Sequence, residues 1–246
     1  LDALRDGNAA RQLHNRVAQL DPSNVDALMM QAVNDYVVAT LPSGFRFLAS
    51  IVGIRGDRQR GLDTLASVAA HGRRNREDAR ILLATIYRHE KMARESARLI
   101  AQLRAAYPRN YLFGLAEVFT LLETGDRGAA WTALRAVEEL TAAAAPGYDL
   151  VNPAKLLYAR GFLQMRGGDL DAASATLAQA VSAAGAEDRL TRMRSLVRLG
   201  QIHDLRGERS LARQSYLAVV AAAPGTRCGH ESREYLSHPY HGGETD

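Results

Sequence analysis

The chain has 246 residues, 47% of them hydrophobic but only 6% aromatic, and 31 basic against 27 acidic side chains leave a net charge of +4. That length supports a full hydrophobic core, the alanine-rich, aromatic-poor balance favours closely packed helices over sheets, and a single cysteine, Cys228, excludes intrachain disulfides. No apolar run approaches the roughly 20 residues of a membrane-spanning helix, and a basic content that is almost all arginine, with Lys91 and Lys155 the only lysines, fits a GC-rich bacterial genome better than a nucleic-acid partner.

The segment AARQLHNRVAQLDPSN, 9–24, reads as the second helix of a helical hairpin, with Ala10, His14 and Val17 in phase and Pro22 closing it. Its first helix would lie before Leu1. NVDALMMQAVNDYVVAT, 24–40, is a further helix, and LPSG, 41–44, breaks it because proline lacks the N–H that continues a helix. FRFLASIVGI, 45–54, predicts a helix running into VGIRGDRQRGL, 52–62. There Gly56 is expected as a hairpin turn, Asp57 as the cap of the next helix, and Ile54 and Leu62 as the residues packing the two helices together. Arg55, Arg58 and Arg60 are expected to face solvent. HGRRNR, 71–76, is a basic connection with the chemistry to touch phosphate.

The Gly-Asp pair recurs at Gly125-Asp126, at Gly168-Asp169 and, as Gly207-Glu208, in weaker form. Each copy lies between two helical patterns. ARILLATIYRHEKMARESARLIAQLRAAYP, 79–108, and LVRLGQIHDLRGERSLARQSYLAVVAAAP, 196–224, resemble the 34-residue tetratricopeptide repeat. The resemblance rests on Leu83, Ala84, Tyr87, Ser96, Ile100, Leu103 and Pro108 in the first, and on Leu199, Gly200, His203, Ala212, Tyr216, Val219 and Pro224 in the second. Small residues such as Ala84 and Gly200 let the two helices of a hairpin approach closely.

Two looser copies fit as well, 112–137 with Val118, Leu121, Ala130, Leu134 and Val137, and 155–181 with Gly161, Gln164, Ala173, Leu177 and Ala180. Units starting near 77, 111, 154 and 193 stand 34, 43 and 39 residues apart, so the excess is expected in longer second helices and in the loop at 144–153. Residues 41–65 are also similar to the tetratricopeptide-repeat protein 39 group, over about 25 residues. The carboxyl end, 225–246, reads as a short capping helix at about 229–237 and a mobile tail ending HGGETD.

The repeat resemblance implies an all-α fold, a right-handed α-solenoid of about five hairpins over 1–224, irregular at 1–75, whose first helices line a concave groove. It places Ile81, Thr85, Arg88 and His89 in that groove, with Leu115, Phe119 and Leu122, then Lys155, Tyr158, Phe162, Met165 and Arg166, then Arg194, Val197 and Gln201. An apolar middle with basic flanks suits a protein or peptide partner bearing apolar anchors and acidic residues. The alternative is that Phe119, Tyr158 and Phe162 pack between neighbouring helices or under the 144–153 loop. The lysines and asparagines that the carboxylate-clamp members of the family use for chaperone tails are replaced here by Ile81, Thr85, Leu115, Phe119, Tyr158 and Phe162, which argues against such tails.

Phosphate-loop, zinc-helix and nucleophile-elbow signatures are missing from the sequence. Cys228, His230, Glu231, His238 and His241 are metal-capable, but their spacing matches no well-attested site. The expected function is therefore a noncatalytic interaction scaffold without cofactor or metal. A cell-envelope accessory or assembly subunit is the second reading, and a nucleic-acid-binding regulator the third. The compartment stays open between bacterial cytoplasm and periplasm or cell envelope.

Overall fold

Helix-forming segments bounded by Asp, Asn and Gly become, in the computed structural model, a run of helices that within each of two units mostly pack on their sequence neighbours. The structure describes residues 12–14, 16–21, 23–51 and 55–243, and no strand occurs among them. Ala10, Pro22 and Ile54, three positions of the expected pattern, lie outside the described residues. The chain divides into two compact units, Leu1–Ala106 and Tyr107–Asp246.

In the first unit, residues 12–14 and 16–20 are helical, and Val17 is exposed rather than packed. A 3-10 turn, Val25–Leu28, then leads into α1, Met29–Thr40. After Leu41-Pro42 come α2, Ser43–Ile51, α3, Arg58–His71, α4, Arg76–His89, and α5, Ala93–Ala106. Here the structure corrects the expected pairing, because α3 packs along α1 across the inserted α2. The glycines explain why. A Cβ at Gly61 would stand 2.7 Å from the Tyr36 nitrogen and 2.8 Å from the Ala32 oxygen, and one at Gly56 would stand 2.6 Å from the Asp35 oxygen. Both glycines exist for backbone-to-backbone approach to α1. Gly56 is not left-handed, so it is no counterpart of the later turns.

Asp57 does cap α3, its side chain accepting from the Arg60 N–H at 2.9 Å. Arg55, Arg58 and Arg60 face solvent as expected, and two of them also form ion pairs. Arg60 donates twice to Asp35, at 2.7 and 2.8 Å, and Arg58 pairs with Glu90, which also accepts from the Tyr36 hydroxyl at 2.8 Å. Ala32, Tyr36, Leu65, Val68, Ala79, Leu83 and Ile86 form the core of this unit. At the α4–α5 crossing the buried Ser96 hydroxyl donates to the Ala84 carbonyl at 2.9 Å, as two small facing residues permit.

The second unit holds α6, Tyr111–Glu123, α7, Arg127–Ala142, α8, Pro153–Gly167, α9, Leu170–Ala183, α10, Arg189–Leu205, α11, Arg209–Ala222, and α12, Arg227–Ser237. Asp126, Asn152, Asp169 and Asp188 cap their helices with side-chain oxygens. The hairpin turns share one geometry. Lys91, Gly125, Gly168 and Gly207 are left-handed, with φ of 59°, 87°, 90° and 73°. The next N–H in each donates five residues back, Met92 to Tyr87, Asp126 to Leu121, Asp169 to Gln164 and Glu208 to His203.

Hairpins α6–α7, α8–α9 and α10–α11 pack in sequence, and α6, α8, α10 and α12 touch one another in turn. The expected extra length lies partly elsewhere. Helix α7 is long, at 16 residues, but α9 and α11 have 14 each, and it is the first helix α10 that reaches 17. The loop at 143–152 folds inward, burying Tyr148 and Val151 in the core with Leu115, Val118, Leu134 and Val137.

Candidate partner-binding face

In the first unit, Ile81, Thr85, Arg88 and His89 are exposed on α4. His89 Nδ1 lies 3.4 Å from the Tyr36 hydroxyl, so this surface continues onto the Glu90 and Arg58 pair.

In the second unit the successive first helices bring the predicted residues together, but most are not open. Leu115, Leu122, Tyr158, Met165, Val197 and Gln201 are buried, Phe119, Phe162, Lys155 and Arg166 are half-buried, and Arg194 is exposed. Phe119, Tyr158 and Phe162 form a three-ring cluster with centroids 5.8 to 6.2 Å apart, and Tyr158 and Phe162 stack with 2° between their planes. Phe119 and Phe162 each pack against both cores of the unit. The centre of this face is thus a packed aromatic seam between α6 and α8 in which Phe119 and Phe162 stay half-buried.

Two polar clusters flank it. Lys155 donates to Asp188 at 2.5 Å. Burial alone would raise the Asp188 carboxyl, but the Lys155 and Thr191 hydrogen bonds outweigh it and hold the group below the usual carboxylate range. On the other side Arg198 lies 4.9 Å over the Phe162 ring, donates to Gln201 at 2.7 Å and reaches Glu231 of α12 at 3.4 Å. Arg198 was not among the expected residues. The available signal was its spacing, one helical turn before Gln201.

The basic connection 71–76 is an anion cradle already filled from within. The Asp26 carboxylate accepts from the N–H groups of Arg73, Arg74 and Asn75 at 3.0 to 3.1 Å. The Arg74 bond leads the causes that lower its pKa, acting against a raising contribution from burial. A phosphate on those amides would have to displace Asp26.

At the carboxyl end, α12 covers the expected 229–237 and starts two residues earlier. Cys228 is buried and its thiol is pushed up by burial, Glu231 belongs to the Arg198 cluster, and His230 lies against Arg233. Among the described residues no three His, Cys, Asp or Glu side chains converge. Past α12 the chain packs back onto the unit, and residues 244–246 of the expected mobile tail lie outside the described residues. Tyr240 is buried against Tyr235, and its N–H donates to Asp204, which also accepts from Arg209 and the Tyr216 hydroxyl.

Comparison with protein-family models and with curated proteins gave no match to this chain.

Proposed function

We propose that the chain is a noncatalytic scaffold of tetratricopeptide-like hairpins, a right-handed solenoid that binds a protein partner along its first helices. One observation carries the reading: the left-handed residue, the bond five residues back and the close helix crossing recur together in successive hairpins. Helices α6, α8 and α10 touch in turn, and they carry the half-buried Phe119 and Phe162 together with the half-buried Arg166 and the exposed Arg194. Partly exposed apolar rings and guanidinium groups suit a partner with a hydrophobic anchor and carboxylates.

A second reading, an accessory subunit that stabilises a larger assembly, is favoured by the burial of Leu115, Tyr158, Val197 and Gln201. A face so filled offers half-buried rings and charges to a broad protein surface rather than a trough to a threaded peptide.

The test is affinity purification of the tagged chain beside Arg166→Glu/Arg194→Glu. A defined protein retained by the native chain and lost by the variant, with thermal unfolding unchanged because surface substitutions cost under about 0.5 kcal/mol, is the expected result. Retention of the same partner by both overturns the assignment of this face. Recovery of salt-labile nucleic acid in place of protein overturns the proposal itself.

A further inference from the structure

Helix α2 stands out for its exposed aromatic side chains. It is inserted between α1 and α3, which pack directly on each other through Gly56 and Gly61 without it. Among its described side chains, Arg46 ties it to α1, the guanidinium donating to the Ala39 carbonyl at 3.2 Å. Yet it presents Phe45 and Phe47 at 65% and 66% exposure, and neither joins the core of the unit.

The two rings are two residues apart on a helix, roughly 200° around its axis, with Arg46 between them facing α1. A flat, rigid protein surface would cover one ring and leave the other wet. A fluid interface takes in both at once, as it does for short amphipathic helices lying at the headgroup boundary. Charge points the same way. Between Asp35 and Asp57 there is no acidic residue, and the charges are Arg46 and the exposed Arg55. At nine residues α2 falls far short of the roughly 20 needed to cross a bilayer, so contact would be along the surface.

We propose that α2 is a lipid-interface anchor that seats Phe45 and Phe47 in an anionic membrane surface, with Arg55 at the headgroups. Each buried phenylalanine strengthens partitioning, and each arginine near an anionic leaflet adds to it.

The experiment is co-sedimentation of the full chain with phosphatidylcholine vesicles and with vesicles containing phosphatidylglycerol, beside Phe45→Ser/Phe47→Ser and Arg55→Gln. The native chain is expected to sediment with the anionic vesicles, the double variant to lose at least about tenfold in partitioning with its helicity kept, and Arg55→Gln to weaken the anionic binding alone. If the double variant is less helical, the single Phe45→Ser and Phe47→Ser variants decide in its place. Absence of the native chain from the anionic pellet, or equal sedimentation of the variants, overturns the proposal. A lipid-independent dimer that the phenylalanine variants dissociate also overturns it and assigns the helix to a second copy of the chain.

Discussion

Gly200→Ala, a single added methyl group, tests the packing logic of the last hairpin. A Cβ at Gly200 would stand 2.7 Å from Tyr216 Cζ and still closer to Cε1. Tyr216 is 0% exposed and its hydroxyl donates to Asp204 at 3.0 Å, so the ring has no free volume to enter and a bond to lose. Overpacking of this kind costs about 1–3 kcal/mol, and losing a hydrogen bond to a carboxylate costs about 1.5–3 kcal/mol. Ala gains about 1 kcal/mol over Gly in a helix interior. Because ring displacement relieves the clash while breaking the bond, the two costs do not add in full, and a net loss of about 2–4 kcal/mol follows. Thermal unfolding should fall by roughly 4–16 °C in a domain of this size. The double variant Gly200→Ala/Tyr216→Leu isolates the contact, since removing the ring removes the clash. A coupling of at least about 1 kcal/mol is expected between the two sites. A neutral or stabilising Gly200→Ala, or additive single effects, would refute the reasoning.

Lys91 occupies a left-handed turn position without being glycine, so Lys91→Gly should stabilise the chain by about 0.5–1 kcal/mol in denaturant titration, and a loss would show that the Lys91 side chain has a role of its own. Asp26→Asn should destabilise at neutral pH by weakening the hold on the 73–75 amides. Because folding lowers the Asp26 pKa below 3.8, its contribution is full above that value and is lost as the pH falls through the folded pKa. The gap in stability between native chain and variant should therefore close in acid, and a gap independent of pH would sink this account.

The helical class and the hairpin punctuation were legible in the sequence because they depend on local chemistry. Gly125-Asp126 and Gly168-Asp169 each pair a residue free to be left-handed with a short carboxylate able to cap, and both roles appear in the fold. The same local pattern misled at Gly56-Asp57. Asp57 caps as expected, but what Gly56 faces depends on which helix lies against it, and that partner is α1 rather than the neighbouring α2. Lys91 shows the converse, a turn imposed by its flanking helices on a residue that carries no turn signal.

The candidate face divides along the same line. The repeat resemblance placed Phe119, Tyr158 and Phe162 on one surface, yet only the packing of α6 against α8 closed them into a stacked seam. Arg198, Gln201 and Glu231 meet because α12 returns onto α10, and the Asp26 carboxylate fills its loop across 47 to 49 residues of chain. Caps, helix periods and the glycine turns at Gly125 and Gly168 are decided within a few residues, so the sequence by itself determined them. Pairings, burial and the occupancy of a polar cradle depend on which distant groups compete for the same space, and these only the tertiary structure decided.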